Sequence, residues 1–298
     1  MRRSSTTEPA RLERRSVEVI LAGQSPEGGY VASPTFEPYR YSWLRDGSFI
    51  ADAMSRVGEV ESAEAFFDWV AGIVERGLGF DARYTLAGGR DESEWPHVQY
   101  DGWGLWLWAI RAHCGRHGRR HRWASAAEAT ARRLEEVREQ PCVDWWEERE
   151  GVHAATLACI AAGLGDELDL TPADERLDAS LLVLPFLGFD GLDGVDLSPL
   201  VGPDGGVHRH LDDVYYGGGV WLLLTALLGL AEPARAEECL AWCAARATPE
   251  GWLPEQSQDH LLAPEFLAPW VERWGPPPCP LLWSHAMFLT LAHALEAR

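Results

Sequence analysis

The sequence contains no lysine: all of its 26 basic residues are arginine. This absence excludes Schiff-base and lysine-nucleophile mechanisms. Acidic residues are in excess, and the formal net charge is -20 at pH 7. We therefore do not expect a nucleic-acid partner, because binding to phosphates needs a basic surface. An acidic surface suits a protein that acts on a neutral ligand.

Signals for a membrane or for export are also lacking. The longest apolar run, near residues 220–231, contains glycine and is too short for a membrane span. Residues 1–15 are charged and have no apolar core of the kind that a secretory signal contains. The sequence therefore predicts neither a membrane segment nor secretion.

The cysteines show no pattern that indicates a metal or a disulfide framework. Six are present, none of them in a C-x-x-C pair, and no Cys/His set has zinc-ligand spacing. We interpret them as buried thiols in a reducing compartment, which predicts a cytoplasmic protein without a metal.

Helical periodicity dominates, and two kinds of helix alternate along the chain. Amphipathic, charged segments lie near 61–76, 123–139, 172–184 and 233–247, and segments that are apolar nearly all round lie near 103–112, 152–164, 217–231 and 284–296. A helix that is apolar all round is buried on all sides. The alternation predicts two concentric layers, as in an α/α toroid. No linker or low-complexity stretch interrupts residues 1–298, which we interpret as a single domain.

Loops rich in aromatic and charged residues precede most of the apolar helices. They lie near 39–46, 95–102, 142–149, 209–216, 251–256 and 279–285. In a toroid these loops converge at one end of the barrel. Several of the 15 tryptophans lie in them, and indole faces are suited to stacking on sugar rings. The alternative for many tryptophans is a place in the core.

Three glutamates in these loops predict glycosidic chemistry. Glu147 and Glu148 follow two tryptophans, and Glu255 follows a Trp-Leu-Pro sequence. Burial beside apolar rings raises the pKa of a carboxyl, which then acts as a general acid near neutral pH. Cleavage of a glycosidic bond needs one acid and one base or nucleophile. The alternative for each glutamate is a solvated loop carboxylate.

Other polar groups have two interpretations each. Arg45 and Asp46 either bind sugar hydroxyls or form a surface pair at a helix start. Asp101 belongs to a ligand wall or caps a helix. Ser284 and His285 either belong to the site or are a helix cap and a core histidine. Residues 111–122, which we name the Arg/His run, either bind an anion such as a sugar phosphate or form a solvated helix end.

Taken together and in order, the loop motifs resemble glycoside hydrolase family 15, the glucoamylase family. The motifs are Tyr-Arg-Tyr-Ser-Trp-Leu-Arg-Asp at 39–46, Trp95 with Gln99 and Asp101, Asp-Trp-Trp-Glu-Glu at 144–148, Arg209 with Asp213, Tyr215 and Trp221, Leu-Pro-Glu-Gln at 253–256, and Leu-Trp-Ser-His-Ala at 282–286. The resemblance covers residues 39–285. It implies an all-α (α/α)6 barrel that hydrolyses α-linked glucosides with inversion from the non-reducing end, without a cofactor.

The resemblance also implies roles for individual residues. Glu147 matches the general acid, Glu255 the general base, and Tyr39 the tyrosine that positions the attacking water. Inversion requires carboxyls about 6.5–9.5 Å apart. We expect a raised pKa for Glu147, from Trp146 and the charge of Glu148, and an ionised Glu255.

The implied substrate contacts surround these three residues. Arg45 and Asp46 match the clamp on the terminal glucose, Glu148 and Arg209 match the contacts to the leaving sugar, and Tyr215 steadies Tyr39. The remaining implied substrate-binding residues are Trp43, Trp95, Asp101, Trp146, Trp221 and Trp283.

Departures from the family pattern predict short substrates. The chain is short for the family, and the N-terminal β-sandwich of bacterial relatives and a starch-binding module are not found in it. The acid and base lie unusually close in sequence, and His97-Val98 replaces a common Arg-Pro. We expect a disaccharide or small α-glucoside, isomaltose- or maltose-type, over starch. The alternatives are a trehalase of the same family, a related phosphorylase and a non-catalytic carbohydrate sensor.

Overall fold

The computed structural model describes residues 8–77, 79–95, 98–119, 122–171, 173, 176–190 and 194–298. The described residues form helices α1 Glu8–Ala22, α2 Leu44–Arg56, α3 Val60–Glu75, α4 Asp101–His117, α5 Ala124–Val137, α6 Ala154–Leu164, α7 Val183–Phe186, α8 Leu222–Ala231, α9 Ala236–Ala244, α10 Leu267–Trp274 and α11 Leu282–Glu296. The predicted all-α class is correct, and the architecture is an (α/α)6 barrel.

Within the part of the chain that the structure describes, six helices form the inner ring of the barrel. Contacts run from α2 to α4, α6, α7, α8 and α11, and α11 packs back on α2, which closes the ring. Almost every residue of α2, α6 and α8 is buried. α6 and α8 are apolar nearly all round, so burial on all sides between two layers suits them, which explains their place in the inner ring.

The outer helices cover this ring. α3 packs on α2, α5 on α4, α9 on α8, and α1 on α11. Their exposed faces carry the charged residues that give these segments their amphipathic pattern. The prediction of two concentric layers is confirmed.

The inner helices α4 and α6 approach each other unusually closely. A Cβ atom at Gly104 would collide with the carbonyl of Cys159, and one at Gly163 would collide with the carbonyl of Gly104. Only glycine permits this backbone contact. It brings the backbones of these two inner helices into direct contact.

Three antiparallel pairs of two-residue strands fix these loops. β1 Ser42–Trp43 pairs with β2 Arg83–Tyr84, β3 Cys142–Val143 pairs with β4 Glu150–Gly151, and β5 Val220–Trp221 pairs with β6 Gln256–Ser257. Each pair lies at the entrance to an inner helix. The sequence shows no strand alternation because two residues are too few to establish a period.

One predicted helix is wrong. The segment near 172–184 was expected to be an outer, amphipathic helix that begins at Thr171. Residues 172, 174 and 175 lie outside the described residues, but residues 171, 173 and 176–178 are not helical. A 3₁₀ turn at Ala179–Leu182 and the short α7 follow, and both are mostly buried. They complete the inner ring instead.

The Arg/His run is held by ion pairs and carbonyl groups of the protein itself. Arg111 donates to carbonyl oxygens at the end of α6, Arg116 lies 2.9 Å from a carboxylate of α2, and Arg122 lies 2.6 Å from a carboxylate of α3. Residues 120 and 121 lie outside the described part. These contacts connect helices and favour a structural role over an anion site.

The described part of the chain contains no helix that combines the length and apolarity needed to cross a membrane. All six cysteines are free thiols, four of them buried, whereas Cys114 and Cys279 are partly exposed.

Candidate active site

A short hairpin presents Glu147. The β3–β4 pair closes the loop, and Asp144 Oδ1 accepts backbone N–H groups from Trp146 at 3.2 Å and Glu148 at 2.9 Å. Glu147 has a left-handed backbone with φ 61°, which is unfavourable for a side chain of its size. Strain of this kind persists where the surroundings fix it, and it marks functional sites.

Two indoles hold the Glu147 carboxyl. Trp43 Nε1 donates to Oε1 at 2.6 Å and Trp95 Nε1 donates to Oε2 at 2.7 Å. Burial raises the pKa of Glu147, although nearby Arg45 and the two indole N–H groups act in the opposite direction. The raised pKa agrees with the prediction, but its cause is burial rather than the neighbouring Glu148 charge.

Glu255 enters the same cavity from a distant part of the sequence. Its N–H donates to Pro278 O at 2.9 Å, and its own carbonyl accepts from Leu222 N at 3.3 Å, directly before β6. The side chain is buried, and among the described residues Oε2 has no hydrogen-bond partner. An unpaired carboxylate oxygen in a pocket wall is suited to receive a proton.

The titration of Glu255 differs from the expectation of an ionised base. Burial raises the pKa of Glu255 to about 8, even though hydrogen bonding from Tyr39 and Tyr215 and the charge of Arg209 lower it. The sequence does not reveal how deeply the residue is buried. The carboxyl therefore holds its proton to higher pH than a free glutamic acid does.

Tyr39 and Tyr215 meet beside this carboxyl. Their hydroxyl oxygens are 3.1 Å apart, and both rings line the cavity. Burial, together with the Glu255 charge, keeps the pKa of each tyrosine well above its ordinary value, so both hydroxyls stay protonated. The pairing implied for these two residues is present.

A buried wall of charge closes one part of the cavity. Arg45 Nη1 donates to Gln99 Oε1 at 2.9 Å and to Asp101 Oδ2 at 3.1 Å. Burial raises the pKa of the neighbouring Asp46 to about 7, although the Arg45 charge lowers it. Within the described residues, Asp46 Oδ2 and Arg45 Nε have no hydrogen-bond partner, and the two atoms lie 3.7 Å apart as an ion pair.

Asp101 is not part of the cavity wall, which corrects its expected role in substrate binding. Its side chain is buried behind Arg45, which it holds in an ion pair of 3.1 Å, and it accepts Gly102 N at 2.7 Å. It is also not the N-cap, since that position is Tyr100. Asp101 positions Arg45.

Glu148 and Arg209 form a second charged group in the cavity. Arg209 Nη2 donates to Glu148 Oε1 at 2.7 Å and to Asp213 Oδ1 at 2.6 Å, and Arg209 Nε donates to Asp213 Oδ2 at 2.8 Å. Glu148 Oε2 lies 3.0 Å from His210 Nε2. Burial raises the pKa of Glu148, but His210 and Arg209 outweigh it, so the pKa is lowered and the carboxylate is ionised.

Aromatic rings form the remaining walls of a cavity of about 420 Å³. All the expected site residues other than Asp101 line it: Tyr39, Trp43, Arg45, Asp46, Trp95, Trp146, Glu147, Glu148, Arg209, Tyr215, Trp221, Glu255 and Trp283. The Nε1 atoms of Trp221 and Trp283 are buried and have no partner among the described residues. A cavity with flat apolar walls and a few polar groups is suited to a sugar.

Sequence reasoning missed several residues of the site. Arg83 stacks on Trp95 at 3.9 Å, on Tyr41 at 4.2 Å and on Trp43 at 4.9 Å, and it pairs with Asp91 at 2.6 Å. It fixes the two indoles that bind Glu147. Its only sequence signal is a charged loop before Trp95, which does not reveal the contact.

The cavity mouth was also missed. Trp270, Arg273 and Trp274 of α10 line it. The segment is an eight-residue helix with no buried residue, which gives little periodicity to detect.

The last motif contributes support and one wall. Ser284 donates to Pro254 O at 2.8 Å, so it is not a helix cap, and the N-cap of α11 is Leu281. His285 accepts Leu253 N at 3.0 Å through Nε2 and lies 2.9 Å from Ser16, which confirms a satisfied core histidine. Both brace the segment before Glu255. His97, where the sequence departs from the family pattern, lies outside the described residues.

Comparisons with known proteins agree with this geometry. The family model for glycosyl hydrolases family 15 matches residues 13–88. An isomaltose glucohydrolase from Kribbella flavida is 37% identical, with 95% of this chain and 92% of that protein covered. The chain belongs to glycosyl hydrolase family 15. It is therefore a glycoside hydrolase.

Solved structures of glycosidases have the same fold. A wild-type glycosidase superposes with a TM-score of 0.87 at 35% identity, with 97% of each chain covered. A variant glycosidase in complex with glucose gives the same values. A bacterial glucoamylase in complex with acarbose gives a TM-score of 0.73 at 18% identity, over 95% of this chain and 55% of that one, which supports the fold alone.

Proposed function

We propose that this glycoside hydrolase is an inverting, exo-acting α-glucosidase that releases β-glucose from the non-reducing end of short α-glucosides. The observation that carries the proposal is the contrast between two carboxyls in one aromatic cavity. Glu147 is held by two indole N–H donors, whereas Glu255 faces two tyrosine hydroxyls and keeps one oxygen unpaired. The similarity to an isomaltose glucohydrolase supports an α-glucoside as substrate.

Glu147 acts as the general acid. Burial raises its pKa, so the proton is retained for transfer to the glycosidic oxygen. Once the proton leaves, Trp43 and Trp95 donate to both oxygens of the new carboxylate. Hydrogen bonds to a charged acceptor are stronger than those to a neutral one, so these donors favour the state that forms during cleavage.

Glu255 acts as the general base on a water molecule that Tyr39 and Tyr215 position. Both hydroxyls lie beside the carboxyl and stay protonated. They therefore donate or accept hydrogen bonds without taking up the proton that Glu255 removes from the water. Since burial raises the pKa of Glu255 to about 8, the base is active only when it has ionised. We expect activity to decline on the acidic side at a pH well above 4.5, the ordinary value for glutamic acid.

Arg45 and Asp46 bind the terminal glucose. Asp101 and Gln99 accept hydrogen bonds from Arg45, so the side chain is already in position before the sugar binds. Because this buried wall holds the last sugar, only a chain end fits beyond the scissile bond, which makes the enzyme exo-acting.

Glu148 and Arg209 bind hydroxyls of the leaving sugar. Their ion pair is held from behind by Asp213, so it presents a fixed acceptor and donor to that sugar. We infer that substrates are disaccharides or small glucosides, isomaltose-type or maltose-type.

We also infer that one domain carries the whole pocket, because the ring of helices that bears its loops closes on itself.

The test is kcat/KM on isomaltose, maltose, nigerose, kojibiose and trehalose, compared with soluble starch. We expect one disaccharide, isomaltose foremost, to exceed starch clearly. A preference for starch contradicts the short-substrate proposal, and a preference for trehalose identifies a trehalase. Glucose 1-phosphate formed only with added phosphate identifies a phosphorylase. Calorimetric binding of glucose without turnover of any α-glucoside identifies a sensor.

A further inference from the structure

Helix α10 supplies one aromatic face to the mouth of the cavity. Trp270, Arg273 and Trp274 are spaced i, i+3 and i+4, so they share one side of the helix, and all three line the cavity. No residue of α10 is buried, and Trp274 is 42% exposed. A large indole at this exposure is not a core residue.

This face continues the cavity wall beyond Tyr215. The Trp270 ring lies 4.9 Å from the ring of Tyr215 and 5.6 Å from that of Tyr216. Arg209, which holds Glu148, lies over the same Tyr215 ring at 5.1 Å. An aromatic surface therefore runs outward from the leaving-sugar contacts to Trp270 and on to Trp274 at the surface.

Trp274 lines the cavity without being covered. Arg273 lies over its ring at 5.0 Å, and within the described residues Arg273 has no carboxylate at ion-pair distance. Tryptophan offers a rigid, flat contact area at small entropic cost. Two tryptophans on one helix face, both lining a cavity and one of them exposed, are typical of a binding surface rather than of a structural element.

We propose that Trp270 and Trp274 form a further subsite on the acceptor side, which stacks on the second hexose ring of the leaving group. This inference rests on the proposed function. The enzyme then binds a trisaccharide more tightly than the contacts of the inner pocket alone allow. The trisaccharide must have the same linkage as the disaccharide substrate. The extra ring makes the same contact in the ground state and the transition state, so the gain appears in KM.

The experiment compares isomaltotriose with isomaltose, or maltotriose with maltose if that linkage is preferred. The Trp274→Ala variant should lower the trisaccharide-to-disaccharide ratio of kcat/KM by about five- to tenfold, the size of one aromatic stacking contact. The change should lie mainly in KM. Trp274→Phe should retain most of the wild-type ratio.

Phe266 provides a matched control. It is also 42% exposed and lies close before Trp274 in sequence, but it does not line the cavity. Phe266→Ala should leave the ratio unchanged. An unchanged ratio in Trp274→Ala, or an equal drop in both alanine variants, overturns the subsite.

Two further results distinguish the subsite from a contact between copies and from a failure of the proposed function. If both alanine variants convert a dimer to a monomer in size-exclusion chromatography with an unchanged ratio, the face is a contact between copies and the subsite is refuted. If wild-type protein releases no glucose from either sugar, the proposed function fails as well. Wild-type turnover with an unchanged ratio in Trp274→Ala refutes the subsite alone.

Discussion

Replacing Glu147 by glutamine removes the acid proton while keeping the size of the side chain. In the protein, both carboxyl oxygens accept an indole N–H, from Trp43 at 2.6 Å and from Trp95 at 2.7 Å. A glutamine amide offers only one acceptor, so its NH₂ group faces one of these donors. The mismatch costs about 1–3 kcal/mol in an enclosed site, in addition to the loss of the proton.

The expected loss of activity depends on the leaving group. General acid catalysis contributes about 10²–10⁴-fold, which corresponds to about 3–5 kcal/mol of barrier. We expect kcat on the preferred disaccharide to fall by this factor in Glu147→Gln. On α-glucosyl fluoride, whose leaving group needs no proton, we expect the loss to be at least tenfold smaller.

The assay is steady-state kinetics of wild type and variant on both substrates. Glu148→Gln is the matched control, because it makes the same chemical change at the adjacent residue, where the contacts are Arg209 and His210. It should raise KM for the disaccharide. Its loss of activity on the fluoride should not be smaller than its loss on the disaccharide. Equal losses of Glu147→Gln on both substrates, or full activity on the disaccharide, refute the acid role.

Three further predictions concern titration and packing. Tyr215→Phe removes hydrogen bonding that lowers the pKa of Glu255, so the acidic limb of the kcat/KM–pH profile should move to higher pH, and an unmoved limb contradicts this. Burial lowers the pKa of His285 to about 3 from 6.5, so wild-type stability should fall as pH drops from 6.5 toward 3. His285→Ala should cost about 1–3 kcal/mol by leaving Leu253 N–H unpaired, and urea unfolding at several pH values should show a weaker pH dependence. Gly104→Ala should cost about 1–3 kcal/mol by overpacking α4 on α6, and an unchanged Tm rejects that close contact.

Much of the barrel could be predicted because burial on all sides leaves a clear sequence pattern. The apolar segments near 152–164 and 217–231 became α6 and α8, and the charged segments near 61–76 and 123–139 became α3 and α5. The helix expected near 172–184 failed because α7 has four residues, which is too short for periodicity to register.

Most wall residues could also be predicted, because the motifs are contiguous in sequence. What could not be predicted depends on contacts between distant segments. Asp101 lies behind Arg45 rather than in the wall, and Arg83 supports indoles from another loop. The pKa of Glu255 follows from its burial, which its neighbours in sequence do not determine.

The central claim is that Glu147 and Glu255 act as acid and base on opposite sides of the bond. Proton NMR during hydrolysis of the preferred disaccharide tests it most directly, because it identifies the anomer of glucose before mutarotation. The account predicts that β-glucose appears first. Early α-glucose would mean retention and would contradict the assignment of Glu255 as a base that acts through water.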